Sequence, residues 1–235
     1  MFPIGDDNSD RTITPVVNYA FIGLNLLVFL FLQQLGSNEA FTYAFSLVPR
    51  EIVTGVDLST AQVVSASSGE LARIPQYATP LPVYFNFLSS MFMHGSIMHI
   101  VGNMMFLFIF GDNLENLLGH VRYVAFYLFC GFAAAAAQIA IEPYSMIPML
   151  GASGAISGVL GGYLLLFPQR RVRAIIFNFL TEVPAFVALG LWIVYQIVMG
   201  YLAPAGVGGV AYAAHIGGFF AGLITIKLFA LGRRV

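Results

Sequence analysis

Ser153 stands between glycines in Gly151-Ala152-Ser153-Gly154, where a loop runs into an apolar segment. Glycines there permit a tight turn and close backbone approach, and the start of a helix offers unpaired N–H groups and the positive end of a dipole. Those are the needs of a nucleophile with an oxyanion site. The spacing has a second reading: Gly154 to Gly158 and Gly218 to Gly222 are small-xxx-small patterns through which membrane helices pack. His215 lies in another apolar segment, within Ala214-His215-Ile216-Gly217-Gly218. A histidine at membrane depth is costly enough to demand a partner or a function, and its small neighbours let its segment approach the one that Ser153 opens. Serine and histidine at one depth suit a nucleophile and its general base. Neither segment holds an Asp or Glu, so the pair is a dyad rather than a triad. His99 and Asn103 share a helix face. Both donate hydrogen bonds, which suits the charge of a tetrahedral intermediate and equally suits bonding between helices.

The rest of the chain indicates what must position these groups. Of 235 residues, 59% are hydrophobic and 9% charged, against about 45–50% and about 25% in soluble domains. With a mean hydropathy of +0.84, this excludes a water-soluble globule and a disordered chain and reads as an all-α polytopic membrane protein. A net charge of -1 argues against nucleic acid. The single cysteine, Cys130, allows no intramolecular disulfide and sits in an apolar run as a small buried residue. Apolar segments at Asn18 to Leu35, His94 to Phe110, Tyr123 to Ile141, Ser153 to Phe167, Val183 to Leu202 and Ala211 to Leu231 make six expected spans. Asn25 is expected to face the bundle, and Ile175 to Leu180 to form an interfacial stretch. Residues 36–93 are expected as an outward-facing loop with a short interfacial helix near Phe41 to Val53. Residues 1–14 are expected as a cytoplasmic N-terminal segment, lacking the basic start and cleavage site of a signal peptide, and residues 15–235 as a single membrane domain. Arg11, Arg122, Arg170, Arg171, Arg173, Lys227, Arg233 and Arg234 fall on one side, so the positive-inside rule predicts both termini in the cytoplasm.

In that topology the second, fourth and sixth segments run the same way, and His94, His99, Asn103, Ser153 and His215 come to one depth. The fifteen residues from Ser153 to Phe167 span about 22 Å of helix against a hydrocarbon core of about 30 Å. Ser153 therefore starts below the outer surface, and its free N–H groups require a polar, water-filled cavity. His94, off the His99 face, is expected as a structural hydrogen-bonding residue near the surface, and His120 as a solvated loop residue. His94, His99 and His215 offer imidazoles to a metal, but no carboxylate or thiolate stands at that depth to complete a site. No metal is expected. Bulky residues of the fifth segment, Phe186 and Trp192, are candidates for a substrate gate. The loop Ala203 to Ala213, with Pro204, Gly206, Gly208 and Gly209, is a candidate cap; ordinary lipid-facing bulk is the other reading of the two aromatics.

Together, His99-Ile100-Val101-Gly102-Asn103, Gly151-Ala152-Ser153-Gly154 and Ala214-His215-Ile216-Gly217-Gly218 with Gly222 resemble the rhomboid intramembrane serine proteases of the six-span bacterial type. The likeness extends over most of the chain, including Met1-Phe2-Pro3, Leu47-Val48-Pro49, Gly111 to Gly119 and Pro184 to Gln196. The resemblance implies a six-transmembrane-helix bundle in a bacterial plasma membrane, without cofactor, that cleaves transmembrane protein substrates among membrane lipids. It implies Ser153 as nucleophile and His215 as base, with His99, Asn103 and the Ser153 N–H holding the oxyanion. Gln138 looks like a residue that holds water for hydrolysis, and equally reads as a packing or cap residue. Ser157 departs from the pattern, since relatives often place there an aromatic residue that stacks on the histidine; what orients His215 is left open. The rival reading is a non-catalytic rhomboid-like binder or guide of transmembrane helices.

Overall fold

Backbone polar groups inside a bilayer must be satisfied within their own segment, and the apolar runs of this chain fold accordingly as helices. The computed structural model describes residues 2–65, 71–176, 179–202 and 209–233. In chain order the elements are β1 (Phe2–Asp6), α1 (Val16–Leu27, prolonged by a π-helical turn at Val28–Leu32), α2 (Glu39–Ala44), α3 (Pro49–Thr54), β2 (Gln62–Ser65) and β3 (Leu71–Ile74). They are followed by α4 (Asn86–Ser89), α5 (Ile97–Leu118), α6 (His120–Ile141), α7 (Ser153–Leu166), β4 (Arg171–Ile176), β5 (Phe179–Pro184), α8 (Ala185–Leu202) and α9 (Tyr212–Phe229). Four of these, α5, α6, α8 and α9, are long and apolar enough to cross a membrane, while Val16–Leu32 and Ser153–Leu166 are shorter apolar helices.

The central helix is α7. Residues 155–163 are all buried, enclosed by α5, α6, α8 and α9. Glycine makes that enclosure tight. A Cβ on Gly218 would overlap the Gly154 carbonyl, one on Gly222 the Gly158 carbonyl, one on Gly161 the Phe219 carbonyl, and one on Gly158 the Cys130 side chain. The packing reading of the glycine pattern therefore holds, and α7 and α9 meet backbone to backbone. Cys130 is buried as expected, and Asn25 is fully buried, its amide donating to Phe21 O at 2.7 Å.

The chain is mostly helical, but it is not all-α. β1, β4 and β5 form a three-stranded antiparallel sheet, and β2 pairs with β3. The expected interfacial stretch at Ile175 to Leu180 falls on the facing ends of β4 and β5, with residues 177–178 outside the described residues. The cause is alternation: in Arg171-Val172-Arg173-Ala174-Ile175, Val172 and Ala174 are fully buried while the residues between face out. Residues 2–14 are likewise tied to the helices. Asp6 accepts hydrogen bonds from Tyr163 Oη (2.6 Å) and Asn113 Nδ2 (2.7 Å), Arg11 pairs with Asp112 (2.9 Å), and Arg170 reaches Asp10 (2.5 Å) and Asn113.

Buried side chains also fix the helix ends. Pro15 supplies no cap to α1, and the buried Glu115 carboxylate takes that role, accepting from Val17 N (2.9 Å) and Asn18 N (2.7 Å). The described parts of the loop, residues 36–65 and 71–93, hold α2 and α3 where one interfacial helix was expected. Leu47 bridges to Met149 in antiparallel fashion, and Asn86 donates to Ser46 O at 2.9 Å.

Two outcomes follow from this packing. Gly222→Ala forces a Cβ onto the Gly158 backbone and is expected to cost about 1–3 kcal/mol, read as a lower unfolding midpoint in detergent. Gly190→Ala, whose Cβ meets open space, should be neutral or stabilising because alanine is the better helix former. Equal midpoints would show that α7 and α9 are not held at that distance. Burial pushes the Asp6 carboxyl up to about 7, against the opposing Tyr163 hydrogen bond. The folded chain thus binds this proton more tightly than the unfolded one, so the contribution of Asp6 to stability is fully present at acid pH and is lost as pH rises from the ordinary carboxylate range through about 7. Hydrogen exchange in β1, corrected for intrinsic rate, should lose protection across that window in the parent and stay flat in Asp6→Asn.

Candidate functional site

Ser153 is the first residue of α7, so its N–H has no intrahelical partner. The approach to it is set by Gly151, whose φ of +129 belongs to glycine and whose N–H donates to Ser90 O at 2.9 Å. A Cβ at position 151 would also come within 2.9 Å of the His99 ring. The glycine is thus required by backbone conformation and by the imidazole packed on it.

His215 lies in the first turn of α9. Its Nε2 is 2.8 Å from Ser153 Oγ, and its Nδ1 is 2.8 Å from Gln196 Oε1 on α8. Gln138 of α6 caps this turn, its Oε1 accepting from Ala214 N at 3.2 Å, which matches the cap reading of that residue. Ser157 donates to Ser153 O at 2.6 Å. The aromatic neighbour absent from position 157 comes from α8 instead: the Trp192 ring lies 6.1 Å from the His215 ring, inclined by 34°.

His99 and Asn103 face the same space as Ser153 and His215, a cavity of about 1450 Å³ also lined by Trp192 and Gln196. The Asn103 side chain is buried, and its Nδ2 has no hydrogen-bond partner among the described residues. An unpaired buried donor is expensive, and here it borders a cavity that can admit an acceptor. His94 departs from its expected role. It is fully buried, its backbone is clasped by Gln33 through two bonds of 2.9 Å, and its ring meets the His99 ring edge-on with centroids 5.1 Å apart. Neither His94 ring nitrogen finds a partner among the described residues. His120 is exposed, yet its Nδ1 approaches the buried Glu115 carboxylate to 2.5 Å rather than water alone. Among the described residues no three of His, Cys, Asp and Glu gather as metal ligands would.

The two gate candidates separate. Trp192 lines the cavity beside the His215 ring, whereas Phe186 is half exposed near the opposite end of α8 and is not brought to the cavity. Of the candidate cap, residues 203–208, including Pro204, Gly206 and Gly208, lie outside the described residues. The residue that sequence reasoning missed is Gln196. A polar residue in an apolar helix, four positions after Trp192 and so on the same face, was the signal that pointed to it.

Comparison with known proteins places this arrangement. Residues 82–231 match the family model described as the Rhomboid domain. The chain is 32% identical over 148 residues to Rhomboid-related protein 2 of Mus musculus, covering 59% of this chain and 46% of that protein. It is 26% identical over 213 residues to Rhomboid protein 1, mitochondrial, of Saccharomyces cerevisiae, covering 88% and 51%. It is 25% identical over 217 residues to Rhomboid protease GluP of Bacillus subtilis, covering 92% and 35%. The chain spans about half or less of the length of these relatives. With most of its length matched by the domain and alignments to two of the three relatives covering 88% and 92% of it, this membrane protein belongs to the rhomboid family.

Proposed function

We propose that the chain is an intramembrane serine endopeptidase that cleaves transmembrane segments of other membrane proteins with a Ser153–His215 dyad. The observation that carries this reading is the 2.8 Å contact between His215 Nε2 and Ser153 Oγ. It is the distance at which an imidazole takes the proton of an attacking hydroxyl. The family includes serine proteases, and both residues stand in its motifs here. In the proposed step Ser153 Oγ attacks the peptide carbonyl carbon and its proton passes to His215 Nε2. The carbonyl oxygen becomes an oxyanion, held by the Ser153 N–H, the unpaired Asn103 amide and His99. Collapse expels the amine, which takes the proton from His215, and water then releases the acyl group by the same route. Water reaches Ser153 through the cavity.

The topology belongs to the same proposal. The shorter helices Val16–Leu32 and α7 join the four long ones as six spans, with both termini on the cytoplasmic side under the positive-inside rule. Fourteen residues give α7 a length of about 21 Å, so its N-terminus and Ser153 lie below the membrane surface. The named relatives come from both a bacterium and mitochondria, so the bacterial plasma membrane expected from the sequence rests on the resemblance alone.

Ser153→Ala should abolish cleavage of a single-span substrate and labelling by a fluorophosphonate, with an unchanged elution profile. Cleavage retained by this variant would sink the mechanism. A non-catalytic helix binder would instead capture substrate equally in both forms and release no product from either. His215→Ala should be as inactive as Ser153→Ala. Asn103→Ala and His99→Ala should keep residual turnover, each reduced by about 10²–10³-fold or less, because other donors remain. If His99→Ala were as inactive as His215→Ala, its assignment as an auxiliary donor would be wrong.

A further inference from the structure

Gln196 is buried in an otherwise apolar helix, and its only hydrogen bond to a side chain among the described residues is the one between Oε1 and His215 Nδ1, at 2.8 Å. A neutral imidazole carries its proton on one nitrogen, and the other is the base. For His215 to accept from Ser153, Nε2 must be bare and the proton must sit on Nδ1. A carbonyl oxygen can only accept. An amide oxygen facing Nδ1 therefore selects the competent tautomer, whereas the amide nitrogen turned to the same place would put the proton between His215 and Ser153 and stop the reaction.

From these contacts we infer that Gln196 is the positioning residue of the catalytic base, standing where a carboxylate stands in a Ser-His-Asp triad. The inference rests on the dyad reading above. The groups in contact with the His215 ring carry no carboxylate: Ser153 on α7, Trp192 and Gln196 on α8, with the His99 imidazole of α5 lining the same cavity. Ring and amide divide the work. Trp192 lies across His215 and Phe219, with ring centroids 6.1 and 6.0 Å away, and limits the plane of the imidazole. Gln196, one turn further along α8, fixes its rotation within that plane and the site of its proton. A consequence is that α8 must be seated against α9 for the base to be set, because a 2.8 Å bond is lost on a displacement of about 1 Å.

The test is nitrogen-15 NMR of the full chain labelled at histidine, in detergent micelles, with His215→Ala identifying the His215 signals. The parent should show His215 protonated on Nδ1. Gln196→Met, of similar length but without an acceptor of that strength, should show a mixture of tautomers and a kcat for a transmembrane substrate lowered about 10–10²-fold at little changed KM. Gln196→Glu should recover a large part of the rate, since its carboxylate accepts the same proton. Unfolding midpoints measured on both variants separate lost positioning from lost folding. A parent His215 protonated on Nε2 overturns the inference without recourse to any variant. So does a Gln196→Met variant that folds and keeps both tautomer and kcat, or one whose loss of rate Gln196→Glu does not relieve at all. Failure of the parent to cleave counts against the protease reading, while the tautomer is read without turnover and still decides the role of Gln196.

Discussion

Gly158 and Gly222 let the backbones of α7 and α9 meet where any side chain would hold them apart, and the candidate site depends on that contact. Ser153 opens α7 one turn before Gly158, and His215 lies two turns before Gly222 on α9. An interaxial distance set by ordinary side chains would be 8–10 Å as a general range; the glycine pairs allow less, and two short side chains then reach 2.8 Å apart. Packing and chemistry are therefore not competing explanations of the Gly-x-x-x-Gly spacing. The first brings about the second. Gly218 and Gly154 make the same contact one turn closer to the site, so the approach is fixed along a length of helix rather than at a pivot.

A glycine contact sets distance but not height along the axis, and the helix ends do that. Here each end near the site is held by a side chain or a backbone carbonyl from a different part of the chain. Gln138 of α6 caps the first turn of α9, Ser90 fixes Gly151 before α7, and Gln33 clasps the backbone at His94, ahead of α5. At the other end Glu115 caps α1, while Asp6, Asn113 and Tyr163 tie β1 to α5 and α7. Between apolar helices in lipid there is little hydrophobic force to fix register. Buried side-chain to backbone bonds supply it, because leaving either partner unsatisfied costs more than the bond itself gains.

The parts legible in the sequence were those whose signal is local. Long uncharged runs marked the helices, and the rarity of polar groups inside them marked Ser153, His215, His99 and Asn103, which the structure gathers around one cavity. What escaped depended on partners distant in the chain. The sheet joins residues 2–6 to residues 171–184, and five residues with Pro3 and Gly5 among them give no strand signal until β4 is beside them. The arginines of β4 weighed first as membrane-side charges, although their alternation with Val172 and Ala174 was also a strand pattern. His94 was expected to hydrogen-bond near the surface and His120 to be solvated, yet one ring is buried against His99 and the other meets a carboxylate that caps a helix about 100 residues earlier. Phe186 and Trp192 look alike in a list of bulky residues; only the length of α8 between them shows that one lies beside His215 and the other does not.

A neutral amide behind the proposed base fits the medium in which the candidate site is set. A carboxylate on α8 would bring a full charge to a helix whose neighbours are apolar, with the attendant desolvation cost and no cation beside it to offset that cost. Gln196 supplies the directional part of what a carboxylate does, an acceptor aimed at Nδ1, without the charge. In the proposed mechanism the transition state then draws its electrostatic stabilisation from the other side of the reacting carbon. That side is equipped for it: the free N–H of Ser153 at the positive end of α7, the unpaired amide of Asn103, and His99 packed on Gly151. In the proposed mechanism the developing imidazolium and oxyanion lie a few Å apart, close enough for their mutual attraction to contribute to the transition state. With an amide rather than a carboxylate behind the imidazole, the proposed mechanism forms its ion pair only as the reaction proceeds, so the bilayer is not asked to hold a charge between turnovers.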